Sequence, residues 1–167
     1  VLLFFSLVHI TISVTNPRAM PLQGGGLVTL TGVYFGLAEL VASHSGARAR
    51  VNVNGTASEC TVLQQRDDRI VCRAPSVPNV GAAGVSVTVA GQTTNNSAAL
   101  SYYYVGAMDP SFGPDHGTTR IHVQGAGFFD WGYARVRFTH QESDVMTYNC
   151  TVLNATTAVL TTLPVEL

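Results

Sequence analysis

The chain has 167 residues, with nine arginines, no lysine, ten acidic residues and a formal net charge of -1. That balance gives no electrostatic reason to expect a nucleic-acid or anionic-membrane partner. Apolar residues make up 46%, enough for a packed core, charged ones only 11%, and no apolar run reaches the length of a membrane-spanning helix.

The chain opens on "VLLFFSLVHI". This stretch lacks the charged flank and small-residue cleavage site of a secretory signal. Residues 1–10 are therefore read as the closing strand of a preceding domain, with a signal remnant as the alternative, and the chain as a fragment of something longer. In "LVTLTG" Val28 and Leu30 alternate with Thr29 and Thr31, the period-two pattern of a half-buried antiparallel strand. "GLAELVAS" allows one short helical turn. "ARARVNV" puts Ala49, Val51 and Val53 on one face and Arg48, Arg50 and Asn52 on the other. Two short strand patterns around Cys60 and Cys72 follow, separated by the polar turn "QQRDD", and then "VSVTV" with Val85, Val87 and Val89 on one face. "LSYYYV" closes this first stretch, and "RIHVQG" restarts the alternation at Ile121 and Val123. Gly- and Asn-rich segments such as "QGGG", "NVNG" and "GQTTNNS" separate the strands as turns.

The chain also repeats itself. Pro17, Pro21, Gly24, Gly32 and Phe35 match Pro110, Pro114, Gly117, Gly125 and Phe128, all at an offset of 93 residues. The phrase Cys-Thr-Val-Leu recurs at Cys60 and Cys150, and Thr161 then stands where the first copy has Cys72. Self-similarity at this period means a duplicated domain. Short strands in a unit of just over ninety residues describe a two-sheet sandwich. The expectation is all-β: a first domain over 11–104, and a second over 105–167 that lacks its last strands. Val105 to Met108 would be a link too short to act as a flexible tether.

A proline-rich entry, "GG" before a Thr/Val strand, "TG-x-x-F", an early Cys, "I-x-C-x-x-P", "V-x-V" and a closing aromatic strand resemble the IPT/TIG family of immunoglobulin-like domains. The two-cysteine phrase is similar to the plexin and fibrocystin types, which carry such domains in extracellular arrays. On this resemblance Cys60 and Cys72 form a disulfide across neighbouring strands, with a pair of buried thiols as the alternative reading. Four Asn-X-Ser/Thr sequons, at Asn54, Asn95, Asn149 and Asn154, agree with secretion and N-glycosylation. Cys150 is read as a buried thiol or as the donor of an intermolecular bridge.

Other chemistry is not written in the chain. His9, His44, His116, His122 and His140 show no metal spacing, and Asp109 with Asp115 falls short of a calcium ligand set. No nucleophile, base and orienting carboxylate can be assembled, so neither enzyme activity, cofactor nor metal is expected. Partner contacts are sought instead at Trp131 in "FFDWGY" and at the outward arginines Arg48, Arg50, Arg135 and Arg137, with packing over the sandwich end as the alternative for Trp131 and a solvated face as that for the arginines.

The resemblance implies a non-enzymatic segment of a cell-surface glycoprotein, its stacked domains serving as spacer and binding surface in adhesion, ligand recognition or filament assembly. Its partners would be other domains of the same long chain, a protein partner or further copies at the cell surface, and covalent glycans. A surface filament, including one on a cilium, and a receptor ectodomain look the same from the sequence. Two alternatives stay open: an intracellular IPT/TIG domain beside a DNA-binding region, or a carbohydrate-binding or spacer module of a secreted enzyme.

Overall fold

The computed structural model describes residues 10–36, 48–53, 56–89, 91–95, 97–114, 117–130, 134–140 and 144–162. All regular elements among them are β-strands. Residues 1–9, the helical turn expected in "GLAELVAS", Asn54, Asp115 and Trp131 lie outside the described residues. The chain divides into two compact units, Val1–Tyr102 and Tyr103–Leu167.

In the first unit, β1 (Thr11–Asn16), β3 (Leu27–Val33), β6 (Arg69–Arg73) and β5 (Thr56–Arg66) lie side by side in that order, all antiparallel. β5 belongs to both sheets: Thr56 to Cys60 pair with β4 (Arg48–Val53), and Thr61 to Arg66 pair with β6. β4 then pairs with β7 (Gly81–Val89), and β7 with the start of β9 (Ala98–Asp109). Two short strands, β2 (Ala19–Pro21) and β8 (Gln92–Thr93), add to β9 and β7. The period-two alternation closes the core: Ile12, Val28, Leu30, Ile70 and Cys72 from one sheet meet Cys60, Val85, Val87, Leu100 and Tyr102 from the other. Each such fully buried aliphatic or aromatic side chain contributes about 1.5–3 kcal/mol.

The turn entering β3 needs its glycine. Gly24 has a φ of 65°, donates its N–H to Pro21 O at 2.8 Å, and presses so close to the Pro75 backbone that a Cβ would clash. Only glycine takes both the left-handed φ and the close approach without strain.

In the second unit, the end of β9 pairs with β10 (Arg120–Ala126), β10 with β14 (Thr157–Thr161), and β14 with β13 (Thr151–Asn154). A separate ribbon joins β11 (Arg135–His140) to β12 (Asp144–Asn149). Its core is smaller: Ile121, Val123, Ala158 and Leu160 are buried, with Phe128, Val136, Phe138, Tyr148, Cys150 and Val152 packed against them.

Taken separately, the two units share one internal hydrogen-bond plan. Gly24 N to Pro21 O recurs as Gly117 N to Pro114 O. Gly32 N to Asp68 O and Phe35 N to Asp67 O recur as Gly125 N to Thr156 O and Phe128 N to Ala155 O. The peptide bonds before Pro17 and Pro110 are both cis.

This plan corrects the match made from the repeated cysteine phrase. Cys72 is paired with Val28, and the equivalent Ile121 is paired with Leu160; Thr161, paired with Arg120, corresponds instead to Arg73, which is paired with Leu27. Leu160, not Thr161, therefore stands where Cys72 stands. Likewise Val62 is paired with Cys72, and extending the β13–β14 register by one residue puts Cys150 beside Leu160. Cys150 thus takes the place of Val62, and Tyr148 that of Cys60.

Candidate interaction surface

Cys60 and Cys72 form a disulfide with a Cα separation of 5.7 Å, inside the range such a bridge requires. Cys60 lies in the part of β5 that pairs with β4, and Cys72 in β6, so the bridge ties the two sheets together across the buried core. In the second unit Tyr148 and Leu160 occupy these positions as members of one apolar cluster, with Tyr148 edge-on to Phe138 at 5.6 Å. Cys150 is half-buried in the same cluster without a bridge. Burial pushes its thiol pKa up, which suppresses the reactive thiolate.

Three of the sequons fall on described residues, and Asn95, Asn149 and Asn154 are all exposed. The local geometry of Asn154 is the most defined. Its Oδ1 accepts the Thr156 N–H and the Thr156 hydroxyl, both at 2.9 Å, which turns the chain between β13 and β14 and leaves the amide nitrogen at the surface.

The arginines expected at a partner surface divide. Arg135 and Arg137 are exposed on β11, in register with Asn149 and Thr147. Arg48 and Arg50 lie in β4, paired in register with Thr88 and Ser86 of β7. Among the described residues, no three His, Cys, Asp or Glu side chains converge as a metal site.

Two features were missed by reading along the chain. The first is an arginine-bearing outer face on the first unit. Pairing of β3, β6 and β5 sets Thr31, Arg69 and Arg66 in one row, Thr29, Val71 and Gln64 in the next, and Leu27, Arg73 and Thr61 in a third. All of these face away from the core, and none is acidic. The second is an open apolar cleft of about 200 Å³ in the second unit, walled by Met108, Pro110, Phe112, Ile121, Phe138 and Tyr148. Phe112 there is 85% exposed. In the first unit the matching face is covered by Leu100 and Tyr102, with the Tyr102 hydroxyl donating to Pro75 O at 3.2 Å. The signal for both is cross-strand register, which a linear pattern does not carry.

Residues 11–102, more than half of the chain, match the model of the IPT/TIG domain family, and the chain belongs to that family. Among solved structures it is similar to the plexin A4 extracellular region, at 21% identity and a TM-score of 0.51, over 96% of this chain and 13% of that one. It is also similar to a protein of unknown function from Bacteroides thetaiotaomicron, at 14% identity and a TM-score of 0.47, over 86% of this chain and 39% of that one. The chain thus spans well under half the length of these structures, and the plexin likeness is one of fold. No curated protein sequence matches it.

Proposed function

We propose that this chain is a non-enzymatic structural and interaction segment of an extracellular or cell-surface glycoprotein, built from IPT/TIG domains that act as spacer and binding surface. The observation that carries this reading is the Cys60–Cys72 bridge inside a family-matched sandwich. Such bridges persist in oxidising compartments and are rare in the cytosol. The three exposed sequons support it, since a glycan needs a solvent-facing Asn. We read the second unit as another domain of the same kind, whose cleft takes strands equivalent to β7 and β9. On this reading β11 gains the partner that β4 has in β7, and Met108, Phe112 and Tyr148 lose their exposure.

Mechanism here is geometric. Stiff sandwiches set distances, glycans shield faces and sheet edges, and bare faces bind. The test is non-reducing peptide mapping by mass spectrometry on protein from its native source, with and without glycosidase. The expected result is a Cys60–Cys72 bridge with glycan on at least one of Asn95, Asn149 and Asn154. Free thiols and bare asparagines throughout would overturn the reading and put the DNA-associated alternative first.

A further inference from the structure

The outer face of β3, β6 and β5 carries three of the nine arginines. Arg66 and Arg69 are directly opposite each other on neighbouring strands. Their Cβ atoms are therefore about 5 Å apart, a placement unfavourable for like charges. Arg73 lies on the same face, four residues from Arg69 along β6, or about 13 Å. All three are exposed. Among the described residues neither the Arg66 nor the Arg69 side chain has an ion pair or hydrogen bond, and the Arg73 side chain donates only to Gly25 O. The nearest acids, Asp67 and Asp68, sit in the turn, where Asp67 Oδ1 accepts the Gly36 N–H at 3.1 Å. The arginines are thus held together without an internal anion.

The second unit shows what this face looks like without that charge. The positions equivalent to Arg66, Arg69 and Arg73 are Asn154, Thr157 and Thr161. Asn154 begins a sequon, and the same face there carries a single arginine, Arg120 in the place of Leu27, so it is less charged and suited to a glycan. No sequon falls on the arginine face of the first unit: Asn95 lies between β8 and β9, and Asn54 follows β4 in the chain. By sequence, residues 1–102 hold six arginines against four acids, and residues 103–167 three against six, so positive charge is concentrated in the first unit.

We propose that this bare face binds an extended sulfated polysaccharide. β3 and β6 are interior strands with both edges paired, so no main-chain edge is open to an added peptide strand. Recognition must run through side chains, and this face offers guanidinium forks and the hydroxyls of Thr29, Thr31 and Thr61. These are donors for the acceptor-only oxygens of sulfate groups repeated along a chain. The choice of sulfated sugar over nucleic acid rests on the extracellular reading above.

The experiment measures binding of the full chain to heparin, to chemically desulfated heparin, to polyglutamate and to duplex DNA, across a salt series. Heparin is expected to bind in a salt-sensitive manner, and the other three at least about ten-fold more weakly. The combined variant Arg66→Gln, Arg69→Thr and Arg73→Thr, two of whose changes copy the second unit, is expected to lose at least about ten-fold in heparin affinity. A charge-matched control, Arg120→Gln, Arg135→Gln and Arg137→Gln, should stay within about two-fold. Far-ultraviolet circular dichroism and the denaturation midpoint, compared with the parent, report that both variants are folded. Equal losses in the two variants, or no heparin binding at all, would overturn the assignment. Duplex DNA bound more tightly than heparin through the same arginines would overturn it and the extracellular reading together. Absence of both on a glycosylated chain would overturn the surface alone.

Discussion

The ring of Phe35 packs against the bare Cα of Gly32, so close that a Cβ on Gly32 would collide with it and with the Thr11 carbonyl. Gly125 stands in the same relation to Phe128 and to the Tyr104 carbonyl. The sequence phrase "TG-x-x-F" and its counterpart in "QGAGF" are thus a packing device, in which a missing side chain on β3 or β10 admits an aromatic ring from the following loop. Phe35 is completely buried, and its N–H donates to Asp67 O, which ties that loop to the β5–β6 turn.

Gly32→Ala is expected to destabilise the first unit by about 1–3 kcal/mol or more, because one of the clashing atoms is backbone and cannot rotate away. Chemical denaturation followed by tryptophan-independent circular dichroism measures this. Gly125→Ala should destabilise the second unit in the same way. An unchanged midpoint for Gly32→Ala would mean that the close approach is not part of the fold.

Opening the Cys60–Cys72 bridge removes a cross-link that closes a loop of 12 residues. The expected loss is about 3 kcal/mol on the chain-entropy estimate. The double variant Cys60→Ala and Cys72→Ala, compared with the parent in urea, is expected to show at least this loss, since both side chains also leave the core. A loss well below 1 kcal/mol would remove the bridge from the stabilising elements.

How far these relationships were readable in the chain depended on whether they ran along it or across it. The alternation at Val28 and Leu30, or at Val85 and Val87, is local, and it identified strands whose inward residues are buried. The repeat of Gly24, Gly32 and Phe35 is likewise local, and it matched positions with the same hydrogen bonds. The cysteine phrase misled because a recurring word is not a recurring register. β5 and β13 are each irregular against their partner strand, between Val62 and Gln64 in one and between Val152 and Asn154 in the other. The two irregularities are alike and cancel; equivalent positions there differ by 88 (150 minus 62, 154 minus 66, 160 minus 72), whereas the phrase repeats at 90 (150 minus 60), so equal letters stand two positions apart. The Arg66, Arg69 and Arg73 face escaped notice for a related reason. In the chain Arg66 and Arg69 flank a polar turn, and only strand pairing makes them neighbours of Thr31 and Arg73 on one surface.

The corrected register can be tested directly. Cys150 occupies the place of Val62, so Cys150→Val is expected to be tolerated, changing stability by less than about 1 kcal/mol. Leu160, 2% exposed in the place of Cys72, is expected to cost about 2–5 kcal/mol as Leu160→Ala. Thr161→Cys would form no bridge to Cys150 if Thr161 corresponds to Arg73 on the outer face. A disulfide formed spontaneously in that variant, detected by thiol titration, would restore the original match of the two phrases.

Tyr102 supplies a pH signature for the first unit. It is completely buried, its hydroxyl donates to Pro75 O, and desolvation raises its pKa from 10.0 to about 12. The native state therefore holds the phenolic proton more tightly than the unfolded chain does. The sign follows: this contribution is fully present below pH 10, and it is lost as the pH rises toward the native value. The loss amounts to about 2–3 kcal/mol across that window. Tyr102→Phe keeps the ring in the core but has no proton to lose, so its stability is expected to be lower at neutral pH by about the worth of one hydrogen bond, roughly 1 kcal/mol, and to lack this alkaline drop. The measurement is a pair of denaturation series from neutral to strongly alkaline pH, with parent and variant treated alike so that other alkaline effects cancel. Parallel curves would mean that the Tyr102 hydroxyl reaches solvent in the native state, and that the packing of β9 over the core is looser than its burial implies.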